Sequence, residues 1–181
     1  IVTEMYGKDS EGKTVQLLTP PQSELALREG TVPDASDAYE DLALVVYSLQ
    51  GPNAQLARHL ASQLKERSID PNFPMVFYGL QTVKDEQFPD GLRFDLGDAA
   101  VAYHVPILSK GTGNFDANDP ELVKTGFPSK LGISNRTLYT ANNGLARLSR
   151  GGVFDLNASS GDLSVSNEAG RVSFVKGAAT Q

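Results

Sequence analysis

The stretch DASDAYEDLALVVYSLQGP, residues 34–52, decides how the rest of this chain is read. Asp34, Ser36 and Asp37 are all competent helix N-caps, because a short side-chain oxygen can accept from the free backbone N–H groups of a first turn. Asp37 followed by Glu40 has capping-box spacing, and Asp41 adds negative charge where the helix dipole favours it. Leu42, Val45, Val46 and Leu49 then fall on one face at helical spacing. Gly51-Pro52 ends one helix and opens the next. Asn53 is the N-cap of that second helix, where Leu56, Leu60 and Leu64 recur every four residues beside Ala57 and Ala61. Lys65 and Arg67 suit the dipole of its last turn, and Asp70-Pro71 stops it. The pattern predicts a helical hairpin over about residues 34–69.

Upstream, Val2–Tyr6 and Thr14–Leu18 read as short strands around a turn at Asp9–Gly12. Pro20-Pro21 stops the second strand, and Ser23–Glu29 reads as a short helix ending at Gly30. Downstream the period changes from helical to alternating. Pro74–Leu80 is a compact apolar run, Val83–Phe88 and Leu92–Leu96 flank the turn Pro89-Asp90-Gly91, and Ala99–Leu108 is a further strand. Residues 109–128 form a long connection with a one-turn helix starting at Asp119-Pro120-Glu121. From 129 to 177 the chain reads as a β-meander. Arg136–Thr140 and Leu145–Leu148 flank Asn143-Gly144, followed by Val153–Leu156, Leu163–Ser166 and Val172–Val175. The expectation is one α+β domain over residues 1–181, an N-terminal helical hairpin packed with a mainly antiparallel sheet and a C-terminal β-meander.

The 181 residues are 40% hydrophobic and 21% charged, which is ordinary globular usage and enough chain to bury a core without staples. With no cysteine, there is no disulfide framework, thiolate nucleophile, zinc finger or iron–sulfur site. A formal charge of −6 argues against nucleic acid as the main partner. No apolar run is long enough to span a membrane as a helix. The chain opens on Ile1 rather than Met, which reads as a processed chain or excised domain. An extracellular or virion location goes with that reading.

Motifs that carry chemistry are few. His104 is the candidate general base, with Asp95 or Asp98 as its carboxylate partner. No Gly-x-Ser-x-Gly elbow supplies a nucleophile, since Gly132-Ile133-Ser134 runs into Asn135 and Arg136. His59 reads as a surface residue of the second helix. Asp116, Asn118, Asp119 and Glu121 are candidate calcium ligands, but Pro120 breaks EF-hand spacing, and a helix cap with a polar turn explains them as well. Gly111-Thr112-Gly113 lacks the third glycine and the helix of a phosphate-binding loop. Asn135-Arg136-Thr137 and Asn157-Ala158-Ser159 match the N-glycosylation pattern. No cofactor is indicated.

Charge divides along the chain, −9 over residues 1–125 and +3 over residues 126–181. A basic C-terminal set of Arg136, Arg147, Arg150, Arg171 and Lys176 therefore pairs with an acidic surface including Asp34, Asp37, Glu40 and Asp41 on a neighbouring copy. The resulting expectation is a structural or assembly subunit, such as a virion, phage-particle or filament component, that forms homo-oligomers. The alternative is a monomeric protein- or glycan-binding module using the 109–128 loop. A hydrolase built on His104 ranks third.

Overall fold

The computed structural model describes residues 15–31, 39–88, 91–151, 154–163, 170–171 and 174–176. The fold is mixed α+β. Its strands are β1 (Val15–Leu17), β2 (Tyr39–Val46), β3 (Met75–Tyr78), β4 (Gln81–Lys84), β5 (Leu92–Asp95), β6 (Val101–His104), β7 (Gly113–Phe115), β8 (Arg136–Thr140), β9 (Leu145–Arg150), β10 (Leu156–Ser160), β11 (Gly170–Arg171) and β12 (Phe174–Lys176). Its α-helices are α1 (Pro20–Arg28), α2 (Ala54–Glu66) and the single turn α3 (Leu122–Thr125), with a 3-10 helix at Pro106–Lys110. The main sheet runs β6-β3-β2-β9-β10-β8-β7, with β11 pairing parallel to the start of β2. Two small sheets, β1-β12 and β4-β5, stand beside it.

The expected hairpin loses its first helix: residues 39–46 are β2, an inner strand of the main sheet between β3 and β9. The reason is burial on both faces. Leu44 and Val46 pack with Leu56, Leu60, Leu64, Met75, Phe77 and Leu145 under α2. Ala43 and Val45 pack on the other face with Val76, Leu108, Phe115, Leu138, Leu148 and Leu156. A strand covered on both sides shows a continuous apolar run, and such a run also contains the i, i+3, i+4 spacing of a helix. The β-branched pair Val45-Val46 suits the strand. Of the acidic residues that suggested caps, Asp34 and Asp37 lie outside the described residues, and Glu40 and Asp41 sit within β2. A bulge between Asp41 and Ala43 puts Leu42 on the same face as Val45.

The C-terminal meander is also revised. Asn143-Gly144 does not close a two-strand hairpin, because β10 lies between β8 and β9, parallel to β8 and antiparallel to β9. This order sets Leu156 of β10 beside Leu138 of β8, both fully buried in one core. Gly144 serves a different purpose. Its φ is +71° and a Cβ there would stand 2.3 Å from the Pro52 carbonyl oxygen, so the 141–144 turn can press against the 51–53 turn only without a side chain. The two strands expected on either side of Gly91 do pair antiparallel, as β4 and β5, but β4 ends at Lys84. Asp85, read as part of the first strand, therefore belongs to the connection, its N donating to Gly91 O at 2.8 Å; Pro89 and Asp90 lie outside the described residues.

Helix α1 begins earlier than its sequence cues suggest. Thr19 caps it by accepting from Gln22 N, and the Gln22 side chain accepts from Thr19 N at 3.0 Å, a reciprocal box. Pro20 and Pro21 thus open the helix rather than merely stop a strand, as proline at the first turn lacks only a hydrogen bond that no residue there makes. The end of α3 carries α1: Gly126 has φ +81° and a Cβ on it would meet Pro20 at 2.3 Å.

Between α1 and the sheet lies a quartet of buried charges. Glu24 holds Arg136 through two bonds of 2.7 Å, with side chains 2% and 5% exposed. Glu40 accepts from Arg150 at 2.6 Å, and Arg150 also donates to Ser23 O at 2.9 Å. Arg136 donates to Phe154 O and stacks 4.7 Å above the Phe115 ring. Burial pushes the Arg150 guanidinium below its ordinary value, and the Glu40 and Glu24 carboxylates oppose the shift. Such pairs add little net stability, but removing one member leaves a buried charge unpaired at a cost of about 3–5 kcal/mol. Glu24→Ala should therefore cost about that much in urea denaturation, and Glu24→Leu with Arg136→Met should recover most of the loss. Equal losses for the single and double variants would contradict this account.

Candidate functional site

Strand β6 ends the main sheet, with only β3 beside it among the described residues. Its phase is set by Val105 N donating to Pro74 O at 3.0 Å and by the register Val76↔Tyr103 and Phe77↔Ala102. In an antiparallel ladder alternate residues bond the neighbour. Val101, Tyr103 and Val105 therefore bond β3, and the N–H and C=O groups of Ala102 and His104 face outward. Among the described residues nothing on this edge blocks pairing: the segment VAYH has no lysine, no proline and no bulge, and Val101 is 39% exposed. The opposite edge is guarded. β7 has three residues, and Asn114 on it accepts from Gly132 N at 2.8 Å and donates to Ser134 O at 3.0 Å.

A largely apolar groove of about 380 Å³ continues from the end of β6. Tyr103, Val105, Ile107, Phe127 and Pro128 supply its apolar wall, and His104, Glu121 and Ser129 its polar rim. The Tyr103 hydroxyl donates to Thr125 O at 2.6 Å, which ties the strand to α3 across the groove; burial raises its pKa, so it stays a neutral donor. His104 Nδ1 lies 2.7 Å from Asn72 O and 3.0 Å from Pro74 O. Carbonyl oxygens only accept, so the neutral ring carries its proton on Nδ1, leaving Nε2 as the acceptor nitrogen.

The expected His104 dyad does not form. Asp95 instead bonds His59 Nε2 at 3.0 Å and takes two bonds from Arg93, whose third reaches Asp85 at 2.7 Å. Asp98 is exposed and makes no hydrogen bond among the described residues. The sequence thus held a His–Asp pair, but with the other histidine. The signal lay in α2 and its C-cap, where Gln55, His59, Gln63 and Arg67 recur every fourth residue. This stripe bonds Gln87 O, the Asp95 carboxylate, Phe94 O with Leu96 N, and Leu96 O in turn. It is a seam that fastens the β4–β5 hairpin to α2.

The expected 109–128 loop is instead a built segment that carries the end of the 3-10 helix, β7 and α3. Asp116 accepts from Asn118 N, Asp119 accepts from Glu121 N and from both the amide and the hydroxyl of Ser129, and Glu121 pairs with Lys124. Burial works against the Asp119 charge, yet these donors hold its carboxyl below the usual range. The four candidate calcium ligands therefore build turns. Among the described residues no three acidic or histidine side chains group closely enough to hold a metal ion, and no helix is long and apolar enough to cross a membrane.

The proposed basic surface is largely used within the chain. Arg136 and Arg150 are buried in the charge quartet with Glu24 and Glu40. Arg147 pairs with Asp41 at 3.2 Å and lies over the Tyr39 ring. Burial raises the Asp41 carboxyl, and Arg147 draws it down. Arg171 lies on β11 and Lys176 on β12, their side chains outside the description. The complementarity expected between copies is in these pairs satisfied inside one.

No protein-family model, curated protein or solved structure matches the chain.

Arg93 bonding, then His59, holds the Asp95 carboxyl below its usual range against the effect of burial. A carboxyl depressed by folding stabilises the fold above its unfolded pKa of about 3.9, and that contribution is lost as pH falls through the lower folded value. Asp95→Asn should therefore be less stable than the parent at about pH 5, with the gap closing below about pH 4. Urea denaturation across that range checks it; a gap that widens on acidification would contradict the seam.

Proposed function

We propose that this chain is a non-enzymatic assembly subunit that joins a second copy of itself by strand addition at the open edge of β6. The observation that supports the reading is the phase of that edge. Ala102 and His104 turn their hydrogen-bonding groups outward on either side of Tyr103. An antiparallel partner with the same sequence, related by a two-fold axis through Tyr103, matches Ala102 of one copy to His104 of the other. Each copy then satisfies the other's two free donors and two free acceptors, an isologous contact that extends the sheet across both copies.

This contact differs from the electrostatic one that the charge pattern suggests. It is made of backbone hydrogen bonds and the exposed side chain of Val101, with no cation in it, so salt should alter it little. Light scattering after size exclusion should give a mass that rises from monomer to dimer with protein concentration, unchanged between low and high salt. Ala102→Pro removes an outward N–H without touching the β3 ladder, and Val101→Lys places a charge on the edge. Both variants should remain monomeric with the parent's circular dichroism. A parent that stays monomeric throughout, or a dimer indifferent to both substitutions, overturns the proposal.

The groove favours a second reading, a monomeric module that takes an extended segment of another protein. Strand addition gives affinity through the main chain, and a neighbouring pocket gives choice of side chain. The walls of Ile107, Phe127 and Pro128 fit one bulky apolar residue of such a segment. A parent that stays monomeric, but whose capture of a library-selected extended peptide is lost in Ala102→Pro, would favour this reading over self-association.

A further inference from the structure

The two faces of the main sheet are covered unequally. Leu138, Leu148 and Leu156 point into the core on one side. Their chain neighbours Tyr139, Ser149 and Asn157 therefore point to the other, the side on which α2 and the β4–β5 hairpin cover β2, β3 and the start of β9. Over β10 and β8 that second face has no helix above it among the described residues.

The pairings place one straight row of polar side chains across it. Tyr139 of β8 is opposite Asn157 of β10, Asn157 is opposite Ser149 of β9, and Ser149 is opposite Asp41 of β2. Continuing the β7–β8 register, Thr112 falls opposite Tyr139. The row crosses five strand positions, about 19 Å at the usual strand spacing of about 4.8 Å. Thr112, Tyr139 and Asp41 are exposed, Asn157 is half-buried and Ser149 is buried. The row is thus a shallow trough with a low middle.

Its hydrogen-bonding capacity is only partly used. Asn157 Oδ1 accepts from the Ser159 amide at 3.0 Å and hydroxyl at 2.7 Å, leaving both amide N–H donors of Asn157. Thr112 Oγ1 accepts from Thr140 N at 3.0 Å, leaving its own hydroxyl to donate. The Tyr139 hydroxyl has no partner among the described residues, and its ring is 40% exposed. At the far end the Asp41 carboxylate is matched by Arg147, whose guanidinium carbon lies over the Tyr39 ring, 4.8 Å from its centre.

We infer that this sheet face, uncovered over β10 and β8 among the described residues, binds a neutral oligosaccharide laid across the strands from Thr112 to Asp41. The row's one charge, Asp41, is paired with Arg147, so there is no excess of cations for nucleic acid or another polyanion. It contains no aliphatic or phenylalanine anchor of the kind a protein interface centres on. What it offers is hydroxyl, phenol, amide and carboxylate groups in a line, with an open ring for stacking against the apolar face of a sugar. One strand step is close to the advance of one pyranose ring along an extended glycan, so successive rings meet successive strands. The site lies on the half of the sheet away from β6 and is independent of the assembly edge.

Isothermal titration calorimetry of the full chain with cellohexaose, xylohexaose and maltohexaose tests the inference. Saturable binding of at least one is expected in the millimolar range or tighter. Tyr139→Ala should weaken it about tenfold, the scale of one lost stacking contact, while Tyr139→Phe keeps most of it. Asn157→Ala should weaken it too, with circular dichroism confirming the fold, and the edge variant Ala102→Pro should bind as the parent does. No binding by any of the three sugars, binding indifferent to Tyr139→Ala, or tighter binding of a heparin oligosaccharide than of any neutral sugar overturns the inference.

Discussion

Burial of β2 on both faces is the constraint from which the rest of this structure follows. A strand one residue out of register would turn Leu44 and Val46 away from α2 and Val45 away from Leu148, exchanging the contents of two cores at once. That fixes where β3 and β9 run. It also fixes where β10 inserts, because Leu156 must join Leu138 and Leu148 on the same side. The bulge at Asp41–Ala43 belongs to the same arrangement. It lets Leu42 face one core while Glu40, two residues back, stays on that side to meet Arg150.

Helix α1 meets the sheet through charge, since Ser23 and Glu24 are buried on it while Leu25 is 44% exposed, and its first residue, Pro20, is buried against the end of α3. Arg136 and Arg150 reach it from β8 and β9 with fixed guanidinium geometry, so the quartet sets the position of the helix. It also withdraws two arginines from the surface. Among the described residues, what remains outside is a sheet with one guarded edge, one edge without a neighbour and a polar half-face. Recognition by backbone pairing and by uncharged polar groups fits such a surface better than recognition by charge.

The sequence made some of this legible and concealed the rest for physical reasons. Helix α2 was readable because Leu56, Leu60 and Leu64 have only one face to cover. The β4–β5 hairpin was readable because positive φ at Gly91 is a local demand with a local residue to meet it. β2 was misleading because its run satisfies two periods, and only the neighbouring strands, distant in sequence, decide between them. The Asn143-Gly144 signal was real as a turn and wrong as a pairing, since turn chemistry says nothing about a third strand entering between its arms. Glu24–Arg136 and Glu40–Arg150 join residues more than a hundred positions apart, so nothing local told buried arginines from exposed ones. Of the site, His104 and the 109–128 segment were singled out, and the structure brings both to one groove. The open edge itself was invisible, because which strand ends a sheet is a property of topology.

Amide hydrogen exchange at β6, followed residue by residue by NMR as protein concentration rises, tests the assembly account most directly. Tyr103 should be protected at every concentration, because its N–H bonds β3. Ala102 and His104 should exchange as open backbone in dilute protein and become protected together as the dimer fills. Ala102 and His104 amides that exchange freely at concentrations where the protein is dimeric would contradict the account and place the contact elsewhere.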